Sequence, residues 1–289
     1  MSRHTVRIMN WLFGKAVITL SILCVCMQLQ ARPYDEVVES KKITIFVYSD
    51  YAPYSWDDNG VKRGIDVEVA KFIADYLDVE LSLLMRGADE NIDDDLRINI
   101  WKGDLIHRQA ADVMLHVPID KEVDARNDLA VINSPYFREE MAVVVDKSVI
   151  PNLETFGYFT SEKVGSELDT VSDFFLSNAF RGLLHPNIRR GATFDATIDL
   201  YADGDVAAVM ASRAQAEYIA AQVSARDSYV VQPPMPGIVR RDWRVGIAVK
   251  HDSRDLGYAV GDALNELIVS GKLAEISKSY GVTYMEPER

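Results

Sequence analysis

Short apolar runs alternate along this chain with stretches whose apolar residues recur every three or four positions, and no other feature constrains the fold as tightly. Ile43 to Tyr48 is a β-branched and aromatic run, the signature of a strand. Ile65, Val69, Phe72, Ile73, Tyr76 and Leu77 then share one face of a helix. Leu81 to Met85 is a second strand, and Ile92, Leu96 and Ile100 mark a helix ending near Gly103. Val113 to Val117 is a third strand, stopped by Pro118. This first unit reads βαβαβ, with right-handed crossovers expected. Met141 to Val145 is a further strand. Thr170 to Asp173 has capping-box-like spacing, and Phe174, Phe175, Ala179, Phe180 and Leu183 are the expected buried face of the helix it opens. A second α/β pattern follows: a helix over Phe194 to Tyr201, a strand over Val206 to Met210 and a helix over Ala214 to Val223. After the break at Pro233, Pro234, Pro236 and Gly237 come a strand over Val245 to Val249 and two helices separated by Gly271.

Residues 1–31 read as a targeting segment. Arg3, Arg7 and Lys15 surround or precede the apolar run Ala16 to Met27, which is too short to span a bilayer comfortably. Ala31 is the expected cleavage position, with an uncleaved N-terminal anchor as the alternative. Both cysteines, Cys24 and Cys26, lie in this segment, so a cleaved chain enters an oxidising compartment with no disulfide and depends on its core. Losing three basic residues takes the formal net charge from -13 to -16. That balance argues against nucleic acid and against anionic lipid, both of which attract Lys and Arg. A soluble periplasmic monomer is the expectation.

Three motifs in order carry a resemblance. Tyr51-Ala52-Pro53-Tyr54-Ser55-Trp56 precedes Gly64-Ile65-Asp66-Val67-Glu68; Ser134-Pro135-Tyr136-Phe137 precedes an apolar strand; and Gly271-Lys272-Leu273-Ala274-Glu275-Ile276 is followed by Tyr280-Gly281. From about residue 41 to 283 the chain resembles the family 3 solute-binding proteins of bacterial ABC importers. The resemblance implies an α/β, two-lobed periplasmic-binding-protein fold of type II with two hinge crossings and a cleft between the lobes. Residues 32–146 would begin lobe one, 147–242 would form lobe two, and 243–289 would return to lobe one with the closing helices. The chain would cross near Val145 and return near Val245.

The same resemblance gives the site residues. Tyr51 matches the ligand-stacking aromatic after the first strand, with Tyr54 and Trp56 close behind; covering the core is the alternative for the latter two. Amino-acid binders of the family grip the ligand carboxylate with an Arg after the third strand. Here Val117-Pro118-Ile119-Asp120-Lys121-Glu122-Val123 replaces that element, and Asp120 is counted with the cleft. Aligned from the strand, Val123 stands where the Arg belongs; aligned from Ser134-Pro135-Tyr136, Arg126 does. In the second lobe Ser212 replaces the family's ammonium-binding Asp, and Thr170 matches a hydroxyl at a helix start, or is an ordinary N-cap. His116, ending the third strand, faces the expected cleft. With its charge clamp altered, the chain is expected to capture a small polar solute other than a standard α-amino acid and to deliver it to an ABC permease. A non-transport accessory role beside a periplasmic quinoprotein alcohol dehydrogenase is the alternative, and a dehydratase-type enzyme a more distant one, with Glu167 and Asp169 as candidate acid or base. No cofactor, catalytic constellation or metal site is expected. His107 and His116 lack further zinc ligands, and the acidic run Asp89, Glu90, Asp93, Asp94, Asp95 reads as a helix N-terminus rather than a cation site.

Overall fold

The computed structural model describes residues 32–288, except His107 and Val239. The expected targeting segment, with its cysteines, and His107 therefore lie outside the described residues. Among the described residues no helix is long and apolar enough to cross a membrane.

The first sheet forms where the apolar runs foretell it. Strand β1 (Lys42–Tyr48) lies between β5 (Glu80–Arg86) and β6 (Val113–Pro118), parallel to both. The helix α2 (Ile65–Tyr76) crosses between β1 and β5 and buries Ile65, Val69 and Ile73. Ahead of β1 stands a short helix α1 (Tyr34–Ser40). Between β1 and α2 a small antiparallel sheet, β2 (Asp50–Tyr51), β3 (Ser55–Asp58) and β4 (Val61–Arg63), was not foreseen. The turn between β2 and β3 explains the first motif. The carbonyls of Pro53 and Tyr54 accept from the N–H groups of Ile65 and Asp66 at 3.0 and 2.8 Å, capping α2. Gly64 has φ 123, and a Cβ there would lie 2.2 Å from the Tyr54 carbonyl oxygen, so only glycine permits this approach. After β5 come α3 (Ile92–Leu96), a π-helical turn over Arg97–Trp101, and, beyond β6, α4 (Lys121–Arg126).

The largest departure from expectation is β7 (Ala130–Asp146), a single 17-residue strand. Only its last part reads as apolar in the sequence; Asn133, Ser134 and Pro135 look like a break. They form a bulge instead: β12 (Asp242–Lys250) pairs Val245 with Phe137 and Ile247 with Asn133, leaving three residues of β7 opposite Gly246. Up to Glu140 the strand pairs with β12; from Met141 it pairs with β10 (Ala208–Ser212), and from Val143 also with β11 (Ser228–Val231). The second sheet continues through β8 (Val164–Glu167) and β9 (Ile188–Gly191). Its helices are α5 (Val171–Asn178), α6 (Phe194–Ala202) and α7 (Arg213–Gln222). The closing helices α8 (Arg254–Val269) and α9 (Lys272–Ser279) return to the first sheet, where Leu256, Val260, Leu264, Leu267 and Leu273 join the core of Ile43, Ile45 and Val69. Separate apolar cores lie under the second sheet. One expected packing face is wrong: Phe174, Phe180 and Leu183 are exposed, while Phe175 and Leu176 are buried. The run after α5 turns twice into left-handed backbone, with φ 52 at Phe180 and 59 at Arg181, and so takes Phe180 and Leu183 off the helical period, while within α5 Phe175 and Leu176 face inward and Phe174 outward.

Candidate functional site

Two adjoining cavities lie where the two sheets meet. Tyr51, Glu167, Thr170 and Trp243 border both. The inner one is bounded further by Met141, Phe194, Met210, Ser212 and Gln215; the outer one by Tyr48, Asp50, Asp89, Asp95 and His116. Among the described residues, neither wall contains a Lys or Arg. The charged groups of the outer cavity are carboxylates, from Asp50, Asp89, Asp95 and Glu167, beside the His116 imidazole, the Tyr48 and Tyr51 phenols, the Asn91 amide and the Thr170 hydroxyl.

Tyr51 is the common wall. Its ring stacks on Tyr54 at 5.4 Å and 24°, and meets His116 edge-on at 4.9 Å and Tyr48 edge-on at 5.9 Å. Tyr54 is fully buried behind it and borders neither cavity. Trp56 packs between Tyr218 of α7 and Tyr280, again away from both cavities. Thr170 borders both cavities, yet its hydroxyl donates to the Glu167 carbonyl at 2.8 Å and accepts from the Asp173 N–H at 3.3 Å, so it caps α5. Ser212 borders the inner cavity and caps α7 in a capping box with Gln215. Asp120 and Arg126 stand apart. Asp120 caps α4 through the N–H groups of Glu122 and Val123 and pairs with Arg240. Arg126 is half exposed and binds Asp93 at 3.0 Å. Val123 is buried in the apolar core. The structure thus brings no guanidinium to the cleft from either alignment of the replaced element. The acidic run divides its work similarly: Asp93 holds Arg126 and Asn127, Asp94 holds Arg97, and only Asp89 and Asp95 reach the cleft.

His116 and Glu167, both named from the sequence, border the outer cavity, whereas Asp66, Tyr136 and Glu139 are not among the residues expected there. His116 sits in a second bulge, where Leu115 and His116 oppose Ile247 alone, and its φ is 61. Such a conformation in a non-glycine residue costs on the order of 1–3 kcal/mol and is held by its surroundings. Those surroundings are Asp66 and Tyr136. His116 Nδ1 lies 2.9 Å from Asp66 Oδ2, the Tyr136 hydroxyl donates to Asp66 Oδ1 at 2.6 Å, and the His116 N–H donates to the Tyr136 oxygen at 3.1 Å. Asp66 and Tyr136 are wholly buried. Both belong to the recognised motifs, but nothing in their local spacing showed that two bulges on either side of β12 would bring them together. Asp95 is buried under Tyr48, whose hydroxyl donates to it at 2.8 Å; burial raises its pKa. Burial, and then the neighbouring Asp50 and Asp195 charges, push Glu167 up to about 7. Glu139 lies on β7 opposite Trp243, beside the point where the strand changes sheets. Burial pushes its carboxyl to about 7, against the help of the Ser212 hydroxyl and the Ala214 N–H.

No family model and no curated protein matches the sequence. Solved structures do. An ancestral cationic amino acid solute-binding protein superposes with a TM-score of 0.67 at 19% identity, covering 86% of this chain and 98% of its own. An amino acid ABC transporter substrate-binding protein from Streptococcus pneumoniae, bound to L-arginine, gives 0.61 at 17% identity, with 88% and 98% covered. A polar amino acid uptake transporter substrate-binding protein from Streptococcus thermophilus gives 0.62 at 15% identity, with 88% and 91% covered. The chain therefore has the two-lobed α/β fold of the periplasmic solute-binding proteins of ABC importers, expected from its three ordered motifs and divergent from those proteins in sequence.

Proposed function

We propose that this protein is a periplasmic solute-binding protein that closes on a small organic cation lacking an α-carboxylate and presents it to an ABC permease. The observation that carries the reading is the composition of the cleft wall: aromatic rings and carboxylates, with no Lys or Arg among the described residues. An α-amino acid would bury its carboxylate there without a countercharge, beside groups of its own sign, at a cost of several kcal/mol. An amine or amidine meets the opposite situation, since ring faces and carboxylates both attract it. Cavities of this kind, concave and largely apolar with a few convergent polar groups, hold small ligands. The test is isothermal calorimetry against a panel of amines, amidines, quaternary ammonium ions, organic acids and the common α-amino acids. Saturable binding of amines without binding of neutral or acidic amino acids is the expected result. Tight binding of glutamate or glutamine would overturn the reading.

The accessory role beside a periplasmic dehydrogenase draws on a different observation, the exposed Val171, Phe174 and Leu183 around α5. It requires saturable binding of the purified dehydrogenase that Phe174→Ser abolishes.

A further inference from the structure

The most heavily constrained group in the cleft is His116. Bulges on both neighbours of β12, at Leu115–His116 and at Ser134–Tyr136, fall at the same level of that strand, opposite Gly246 and Ile247. They deliver His116 and Tyr136 to one buried carboxylate, Asp66. The hydrogen-bond directions in this group are fixed in turn. The Tyr136 oxygen accepts the His116 N–H, so its hydrogen goes to Asp66 Oδ1; Asp66 Oδ2 then receives the Nδ1 hydrogen of His116. With Nδ1 as the donor, the neutral ring leaves its lone pair on Nε2. That atom is buried and has no hydrogen-bond partner among the described residues, although the residue borders the outer cavity. Its ring is covered by Tyr54 at 4.1 Å and by Tyr51 at 4.9 Å, and Tyr51 is the ring that borders both cavities.

We infer that His116 Nε2 is the acceptor that selects N–H-bearing cations, primary or secondary amines and amidines, over permethylated ones, with Asp66 as the residue that positions it. The inference rests on the reading that the cleft holds a cation. Carboxylates attract any cation and ring faces favour quaternary ammonium, so those groups alone do not discriminate. A buried neutral acceptor does. An ammonium N–H reaching Nε2 as Tyr51 turns to stack on the ligand satisfies it, whereas a trimethylammonium group leaves it unpaired and excludes water from it. The carboxylates of the outer cavity come from two separate stretches of chain, Asp89 and Asp95 from the loop and helix α3 after β5 and Glu167 from the end of β8, which suits a diamine.

The experiment has two parts on the chain from residue 32 to 289. Long-range nitrogen-15 NMR of the histidine rings, with His116 assigned by its loss in His116→Asn, reads the tautomer; a protonated Nδ1 that Asp66→Asn shifts to a tautomer mixture is expected. Calorimetry then compares putrescine with its hexamethyl bis-quaternary analogue. Wild type should bind putrescine at least tenfold more tightly, and His116→Asn should bring the ratio near one while leaving the analogue's affinity unchanged. Asparagine and glycine both tolerate the left-handed backbone at this position, so His116→Gly serves as the second variant if His116→Asn unfolds. Equal affinity of wild type for the two compounds, or a protonated Nε2 in the free protein, overturns the role of His116 and leaves the cation reading standing. Failure of both compounds to bind strikes the cation reading itself and this inference with it.

Discussion

Glu139 and Glu167 share one perturbation and differ in consequence. Both carboxyls are pushed up to about 7 by burial. A carboxyl that holds its proton more tightly in the folded state contributes nothing below the unfolded value, where both states are protonated. Between about 4.5 and 7 the unfolded chain ionises first, so stability falls as pH rises through that window and levels off above it. Each such group adds at most about 1.4 kcal/mol per pH unit to the slope. For Glu139, which is wholly buried, Glu139→Gln should flatten urea-unfolding free energies measured between pH 5 and 8. Glu167 faces the cleft, so a bound cation favours its ionised form. Cation affinity should rise with pH up to about tenfold per unit below 7, with protons released on binding, and Glu167→Gln should remove the dependence. Calorimetry in buffers of different ionisation enthalpy counts those protons. Tyr51→Ala should weaken cation binding by about 1–3 kcal/mol with little change in the unfolding midpoint. At this scale the sequence was informative only where a motif carried the residue. Tyr51, Thr170, Ser212 and His116 do border the cleft. Arg126 and Asp120 do not, because α4 turns them onto Asp93 and Arg240. Trp243 and Asp50 went unremarked, since each earns its place only through a strand partner distant in sequence or a turn whose shape is set elsewhere.

At the level of elements, periodicity recovered the parallel strands and nearly all the longer helices, because a buried face imposes its period on the residues that line it. It failed where that period lapses. The first half of β7 alternates poorly, being bulged at Ser134–Tyr136, and the turns of β2 to β4 are too short to show a period. The strand β12 faces both bulges, at Gly246 and Ile247, and Gly246 is the tighter point. A Cβ there would lie 2.4 Å from the Asn133 carbonyl oxygen and 2.6 Å from Ile119 Cδ1. Gly246→Ala should therefore destabilise the protein by about 1–3 kcal/mol in chemical denaturation, as overpacking does. Ser212 offers a sharper distinction. If its hydroxyl serves α7, Ser212→Ala costs about 1 kcal/mol of stability and leaves cation affinity within twofold; a tenfold loss of affinity would assign the hydroxyl to the ligand.

The whole molecule carries a formal charge of -13 and turns an acidic cleft toward a proposed cation. Attraction at range should speed association, so stopped-flow association rates should fall steeply between 10 and 300 mM salt while dissociation rates change little. Seen from the first sheet, the second is an excursion with its ends tied together. Glu140 on the outgoing strand pairs with Asp242 on the returning one, so everything between them leaves and re-enters through a single rung of the ladder. To its host, such an excursion is a very long hairpin loop. Replacing residues 141–241 with a two-residue turn closes the same rung but strips from the first core the cover that Ala214 and Tyr218 of α7 provide. The seam therefore has two parts: the ladder closes at one rung, but α7 also lays Ala214 and Tyr218 on the first core and its Glu217 accepts from the Thr283 N–H, so a far half taken from another binder has to bring that face of α7 with it.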